Sequence, residues 1–228
     1  MAITLGFDVY GTLIDTAGVT AALRPLAGER AAEFARQWRD KQLEYSFRRA
    51  LMRRYVDFAA CTAQALEYTR RLHKVALQPA DIDRLLALYT VLPAFADVAP
   101  GLASLKKLPL RLFAFSNGRP DDVESLLRNA GIRGEFEGVV SLFHARTFKP
   151  DAAAYDFFRA AANSRDGETW LVSSNPFDVI GAVSSGMKAA WVRRSAEAVF
   201  DPWEIQPTAT VSGIGELVEL FRGDTGGT

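Results

Sequence analysis

The chain alternates between two kinds of hydrophobic spacing. Short, nearly unbroken apolar runs occur at Ile3 to Val9, Leu110 to Ser116, Gly138 to Leu142, Thr169 to Ser174 and Lys188 to Arg193. Runs of this length, bounded by Gly, Pro, Ser or Asn, read as strands buried on both faces. Helical spacing fills the gaps between the later runs. Asp121 to Ala130 places Val123, Leu126 and Leu127 on one face and stops at Gly131. Ala152 to Ala162 follows Pro150 and aligns Tyr155, Phe158 and Ala162, and Asp178 to Gly186 is short and rich in small residues. Strands alternating with helices predict an α/β fold, a parallel sheet with helices on both faces.

Residues from about Asp15 to Leu92 break that alternation. They hold no convincing strand and read as helices over about Glu29 to Tyr55, Phe58 to Leu72 and Pro79 to Tyr89. In the second of these, Ala59, Ala63, Leu66 and Thr69 recur at steps of three and four. The expected organisation is a Rossmann-like core of residues 1–14 and 95–228 with a helical cap, residues 15–94, inserted after the first strand. Pro93 and Pro100-Gly101 are expected to mark the return to the core. The tail Gly223 to Thr228 is expected to be disordered.

Composition narrows the partners. The 228 residues are 49% hydrophobic, enough for a real core, and Lys+Arg and Asp+Glu both number 27. A balanced charge favours neither nucleic acid nor an anionic membrane as partner. The cluster Arg48, Arg49, Arg53 and Arg54 reads as the exposed side of a helix. Cys61 is the sole cysteine, which rules out an intrachain disulfide and suits a reducing compartment. No apolar stretch reaches the roughly 18–20 residues of a membrane span. The N-terminus enters a strand directly, so no secretory signal is expected and cytoplasmic residence is. His73 and His144 are far apart and lack Cys neighbours, so no zinc site is expected.

Open parallel sheets bind ligands beyond the carboxyl ends of their strands. Those ends offer Asp8 with Tyr10, Ser116-Asn117-Gly118, Lys149 after a loop, and Ser173-Ser174-Asn175 with Asp178. A carboxylate at the end of a buried strand, followed by a Gly turn and a hydroxyl, is placed to attack a substrate. Convergence of these groups depends on the strand order, which the sequence leaves open.

Taken in order, these motifs resemble the haloacid dehalogenase superfamily. Asp8-Val9-Tyr10-Gly11-Thr12-Leu13 is similar to its first motif, Ser116-Asn117-Gly118 to its second, Lys149-Pro150 to its third and Ser173-Ser174-Asn175-Pro176-Phe177-Asp178 to its fourth. Two features resemble the subgroup acting on L-2-haloacids (type II). Tyr10 stands where phosphatase relatives carry an acid/base aspartate, and Ser173-Ser174-Asn175 where they place acidic magnesium ligands. The segment Trp38 to Tyr45 resembles the part of that subgroup's cap bearing a halide-binding arginine.

The resemblance implies hydrolytic dehalogenation of short (S)-2-haloalkanoic acids to (R)-2-hydroxy acids through an ester on Asp8, without cofactor or metal. It implies Lys149 as the cation that keeps Asp8 ionised, and Thr12 and Ser173 as hydrogen-bonding residues that orient the Asp8 carboxylate or nearby groups. Asp178 would activate water, with Asn175 positioning that water or the carboxylate. Ser116 would bind the substrate carboxylate. Arg39 and Asn117 would receive the halide against Phe177. Tyr10, Gln42, Leu43, Tyr45 and Phe58 are candidate pocket walls. Tyr155 resembles an active-site tyrosine but equally fits the buried face of its helix. A haloacid substrate, a halide product and a homodimer are the implied partners. Two departures stand out, Pro176 before Phe177 and the bulky Arg119 beside the second motif. A magnesium-dependent phosphatase and a non-catalytic binding protein remain alternatives.

Overall fold

The computed structural model describes residues 2–165 and 167–223. Among them, six parallel strands form one sheet: β1 (Ile3–Asp8), β2 (Leu110–Ser116), β3 (Gly138–Ser141), β4 (Thr169–Ser173), β5 (Lys188–Val192) and β6 (Ala209–Val211). The order across the sheet is β3-β2-β1-β4-β5-β6, the Rossmann-like arrangement. β1 lies centrally, with Asp8 in register with Phe115 on one side and Phe7 with Val172 on the other. The carboxyl ends of β2, β1 and β4 are therefore neighbours. The chain reverses its direction of travel across the sheet between β1 and β4, and a crevice opens there.

Helices α5 (Val98–Leu105), α6 (Pro120–Asn129), α7 (Ala152–Ala161), α8 (Pro176–Ser184) and α9 (Leu217–Gly223) accompany the sheet. The core divides between its two faces. Leu5, Phe7, Val123, Leu126 and Trp170 belong to one buried cluster, and Phe115, Tyr155, Phe158, Leu171 and Val179 to another. Gly6 lets α7 approach β1, because a β-carbon there would meet the Phe158 ring at 2.6 Å. No helix among the described residues is long and apolar enough to cross a membrane.

The helical stretch comprises α1 (Ala17–Ala27), α2 (Ala31–Leu51), α3 (Phe58–Leu72) and α4 (Pro79–Ala87). α3 starts at an Asp57 cap, whose Oδ1 accepts the Ala60 N–H at 2.8 Å. Trp38 of α2 is wholly buried, and its indole N–H donates to the Thr62 carbonyl of α3. The chain enters and leaves this stretch side by side. Ile14 bridges Ala94, the Asp15 N–H donates to the Pro93 carbonyl, and the Phe95 N–H donates to the Leu13 carbonyl.

The predicted strands agree to within a residue or two. β6 went unpredicted, since Ala209-Thr210-Val211 carries too little apolar sequence to stand out. α1, α5 and α9 were not delimited either. Pro100-Gly101 lies inside the first half of α5; the missing N–H of Pro100 is free of cost in a helix's first turn. The helix expected from Glu29 to Tyr55 runs as α2 only from Ala31 to Leu51. Arg53, at φ 55°, and Arg54 thus lie past its end, while Arg48 and Arg49 are within its last turn. Of the tail, residues 224–228 lie outside the described residues, and Gly223 closes α9.

Candidate active site

The turn after β1 builds the site. Gly11 has φ 82°, a conformation that costs an L side chain strain, and its N–H donates to the Ile14 carbonyl. That turn folds Thr12 back over Asp8. Thr12 Oγ1 donates to Asp8 Oδ2 at 2.8 Å and accepts the Ser174 N–H at 2.8 Å. Asn175 Nδ2 donates to the same Asp8 Oδ2 at 2.8 Å. Asp8 Oδ1 accepts from Lys149 Nζ at 3.1 Å. One carboxylate oxygen thus carries two donors and the other one. Asp8 is 9% exposed, so the site is nearly closed.

Lys149 is buried, and its three ammonium protons have three acceptors. These are Asp8 Oδ1, Asp178 Oδ2 at 2.8 Å and the Phe115 carbonyl at 3.0 Å. Burial alone would depress its pKa, but Asp178 and Asp8 outweigh burial and leave it raised, so the ammonium stays charged. Asp178, in the first turn of α8, is completely buried. Its Oδ1 accepts from the Tyr155 hydroxyl at 2.9 Å. Burial raises its pKa and the nearby Asp8 charge adds to this, while Lys149 opposes it. Tyr155 is itself completely buried and held neutral by that burial and by Asp178. Its place is behind Asp178. Gly181 makes room for it, since a β-carbon there would sit 2.4 Å from the Tyr155 hydroxyl.

Ser116 Oγ accepts the Gly118 N–H at 3.1 Å, shaping the loop after β2, and Ser141 Oγ secures that loop by donating to the Gly118 carbonyl at 2.6 Å. Asn117 Oδ1 accepts the Lys149 backbone N–H at 3.0 Å, which leaves its Nδ2 as the end able to donate. Ser173 Oγ accepts the Asn175 N–H at 3.2 Å. It shapes the loop that carries Asn175 and makes no hydrogen bond to Asp8 itself. Pro176 occupies the first position of α8, where no N–H is needed, and Phe177 packs edge-on against Phe47 of α2 at 5.0 Å.

The helical stretch closes over these loops. The Tyr10 hydroxyl donates to the Tyr89 carbonyl at 3.2 Å, and its ring neighbours Phe58. Burial raises the pKa of Tyr10 and pushes that of Tyr89 up to about 12, with the Arg39 charge opposing both rises, and Arg39 lines a cavity with Tyr89. Arg39 Nη1 donates to Gln42 Oε1 at 2.7 Å, and Gln42 Nε2 donates to Thr62 Oγ1 at 2.5 Å. Gln42 is therefore a fully buried brace for Arg39. Tyr10, Phe58, Tyr89, Gly118 and Arg119 line a cavity of about 240 Å³. Tyr45, a candidate pocket wall, lies instead beside Tyr68 and Lys41 and lines a separate groove with Arg48 and Met52. Arg119 pairs with Asp57, Nη1 to Oδ2 at 3.3 Å, which ties α6 to the start of α3.

Some supporting contacts were not legible in the sequence: Ser174 was named within the fourth motif without a role, and Trp191 and Arg194 were not singled out. Ser174 Oγ donates to the Gly11 carbonyl, Trp191 Nε1 to the Ser174 carbonyl, and Arg194 to the Thr12 carbonyl. All three act on main-chain oxygens, which carry no sequence signal. Trp191 and Arg194 do lie at or just past a strand's carboxyl end, the position that singled out the others.

Among the described residues, no group of three His, Cys, Asp or Glu is assembled to hold a metal ion. The position between Asp8 and Asp178 is taken by the Lys149 ammonium. The sheet sets an aspartate at the end of β1, held by a lysine and two neutral donors. The family model of haloacid dehalogenase-like hydrolases matches residues 4–186, and the chain belongs to that family. Its relatives place it in the L-2-haloacid dehalogenase subgroup. Haloacetate dehalogenase H-2 of Moraxella sp. (strain B) is 35% identical over 217 residues, 95% of this chain and 96% of the relative. The (S)-2-haloacid dehalogenase of Xanthobacter autotrophicus is 38% identical over 244 residues, 96% and 95% of the two chains. A solved structure of L-2-haloacid dehalogenase from X. autotrophicus superposes with TM-score 0.89 at 33% identity, covering 98% of this chain and 99% of that one. Another, with chloropropionic acid covalently bound, gives TM-score 0.89 at 32% identity, again covering 98% and 99%.

Proposed function

We propose that the protein hydrolyses short (S)-2-haloalkanoic acids to (R)-2-hydroxy acids, with Asp8 as nucleophile. The observation that carries this is the pinned carboxylate: Oδ2 is held by Thr12 and Asn175, while Oδ1 has only Lys149. Oδ1 attacks C2 from the side opposite the halogen. A carbon–oxygen bond forms, and the halide leaves with the electron pair of the broken bond. The nearly closed site removes water that would blunt the nucleophile. Asn117 Nδ2 and Arg39 receive the halide against Phe177, and Ser116 with neighbouring main-chain N–H groups holds the substrate carboxylate.

Water then adds to the ester carbonyl of Asp8 and gives its proton to Asp178. Collapse of the adduct breaks the acyl–oxygen bond, the leaving alkoxide takes the proton back from Asp178, and Asp8 loses its remaining proton to solvent as the hydroxy acid departs, with inversion at C2 from the first step alone. Residues 15–94 act as the cap, and residues 1–14 and 95–228 as the core that carries the nucleophile. The covalent chloropropionic acid in the X. autotrophicus structure supports an ester route. A single turnover in heavy-oxygen water tests it. The label is expected in Asp8, and label found only in the product would overturn the ester route.

Asp178 must be ionised to accept that proton, and its pKa is raised by burial and by Asp8. Ester hydrolysis is therefore expected to fail as pH falls, with the fall beginning above the ordinary carboxylate range of about 4. Rapid-quench measurement of ester decay against pH checks this. A rate that is flat down to the ordinary range removes Asp178 as the base.

The exposed Leu51, Met52 and Leu72, with partly exposed Tyr68, support a homodimer through this outer surface of α2 and α3, which light scattering reads directly. The lone buried Cys61 suits action in the reducing cytoplasm.

A further inference from the structure

We infer that Arg194 is a positioning residue for this reaction, fixing the Thr12 carbonyl and, through Thr12, the carboxylate of Asp8. The kinetic part of this rests on the dehalogenase reading above. Arg194 lies two residues beyond β5, in a loop no motif marks. Its Nε and Nη2 both donate to the Thr12 carbonyl, at 3.2 and 2.6 Å, and Nη1 donates to Asp97 Oδ1 at 2.7 Å. The guanidinium plane also lies over the Phe95 ring, 4.3 Å from its centroid. Each guanidinium nitrogen is therefore engaged, and the side chain is 16% exposed.

The partner is anchored too. Asp97 Oδ2 accepts the Ile214 N–H at 2.8 Å, so the carboxylate that orients Arg194 is fixed to the segment that follows β6. Thr12 is gripped on both sides as a result. Its carbonyl is held by Arg194, while its hydroxyl donates to Asp8 and accepts from Ser174. A rotation of the Thr12 backbone would carry Oγ1 off Asp8 Oδ2 and leave Asn175 as that oxygen's donor, loosening the carboxylate's alignment for attack. The Asp97 charge neutralises Arg194, which makes the effect geometric instead of a long-range field. Lysine cannot reproduce the forked contact, although it can keep the charge.

The test compares wild type with Arg194→Met, Arg194→Lys, Thr12→Val and the double variant Thr12→Val/Arg194→Met, measuring halide release and thermal midpoint. Arg194→Met is expected to lower kcat about tenfold or more with KM nearly unchanged, because a misaligned nucleophile costs rate before binding. Arg194→Lys should recover part of that loss. In the Thr12→Val background the Met change should add less than about twofold, the non-additivity expected of residues acting as one unit. Independent, multiplying losses, or a lower midpoint with unchanged kcat, would overturn the inference. Amide exchange at Ser174, whose N–H donates to Thr12 Oγ1, reads the same clamp without turnover. Arg194→Met should speed that exchange about tenfold, and unchanged exchange overturns the claim even if wild type proves inactive on haloacids and the dehalogenase reading fails.

Discussion

Asp8→Asn is expected to release no halide above background, a loss of about four orders of magnitude or more if Asp8 is the nucleophile. The change preserves shape and removes the attacking oxygen's charge. It also inverts the local hydrogen-bond logic. Oδ2 now accepts from Thr12 and Asn175, and Oδ1 from Lys149. An amide nitrogen set in either place would face a donor with another donor, so the variant should lose stability by about 1–3 kcal/mol as well. Ion chromatography of halide and a denaturant titration read the two effects separately. A variant that matches wild type in halide release removes Asp8 from the chemistry, whatever its stability.

Lys149→Gln should be nearly as damaging, and for a reason visible in the fold itself. The ammonium bridges Asp8 and Asp178, which are 9% and 0% exposed. Without it, two carboxylates share a closed space with no cation between them. Breaking a buried ion pair in this way costs about 3–5 kcal/mol. The sign of the pH dependence follows. Asp178 already has a raised pKa from burial and from Asp8, and loss of Lys149 raises it further. The folded variant then binds a proton more readily than the unfolded chain. Its stability should be highest below the ordinary carboxylate range and fall as pH rises toward neutrality. Adding Asp178→Asn should restore much of the stability without restoring turnover. Urea midpoints across that pH range measure this. A Lys149→Gln protein as stable at neutral pH as in acid would contradict the assigned charges.

Much of this arrangement was legible before the fold was known. Asp8, Ser116 and Ser173 could be placed because strands buried on both faces declare themselves as apolar runs, and a run's end fixes where its last side chain stands. The order β3-β2-β1-β4 could not be read, since a parallel register depends on crossovers that leave no local mark. Tyr155 was ambiguous for a related reason. An aromatic on the inner face of a helix packs the same way whether or not its hydroxyl meets a buried acid, and only the three-dimensional contact with Asp178 separates the cases. Arg39 was singled out by the family resemblance of the segment Trp38 to Tyr45, but its brace, Gln42 backed by Thr62, spans two helices and appears only when α2 meets α3. Arg194 and the role of Ser174 escaped because each side chain contacts a main-chain carbonyl, which every residue possesses.

The pairing of Ile14 with Ala94 has one more consequence. The whole helical excursion leaves and rejoins the sheet through a gap one ladder rung wide, so its length and sequence are topologically independent of the strand order. An insertion or deletion within the excursion would leave the pairing of β1 with β2 and β4 unchanged, so its size can vary at a single doorway.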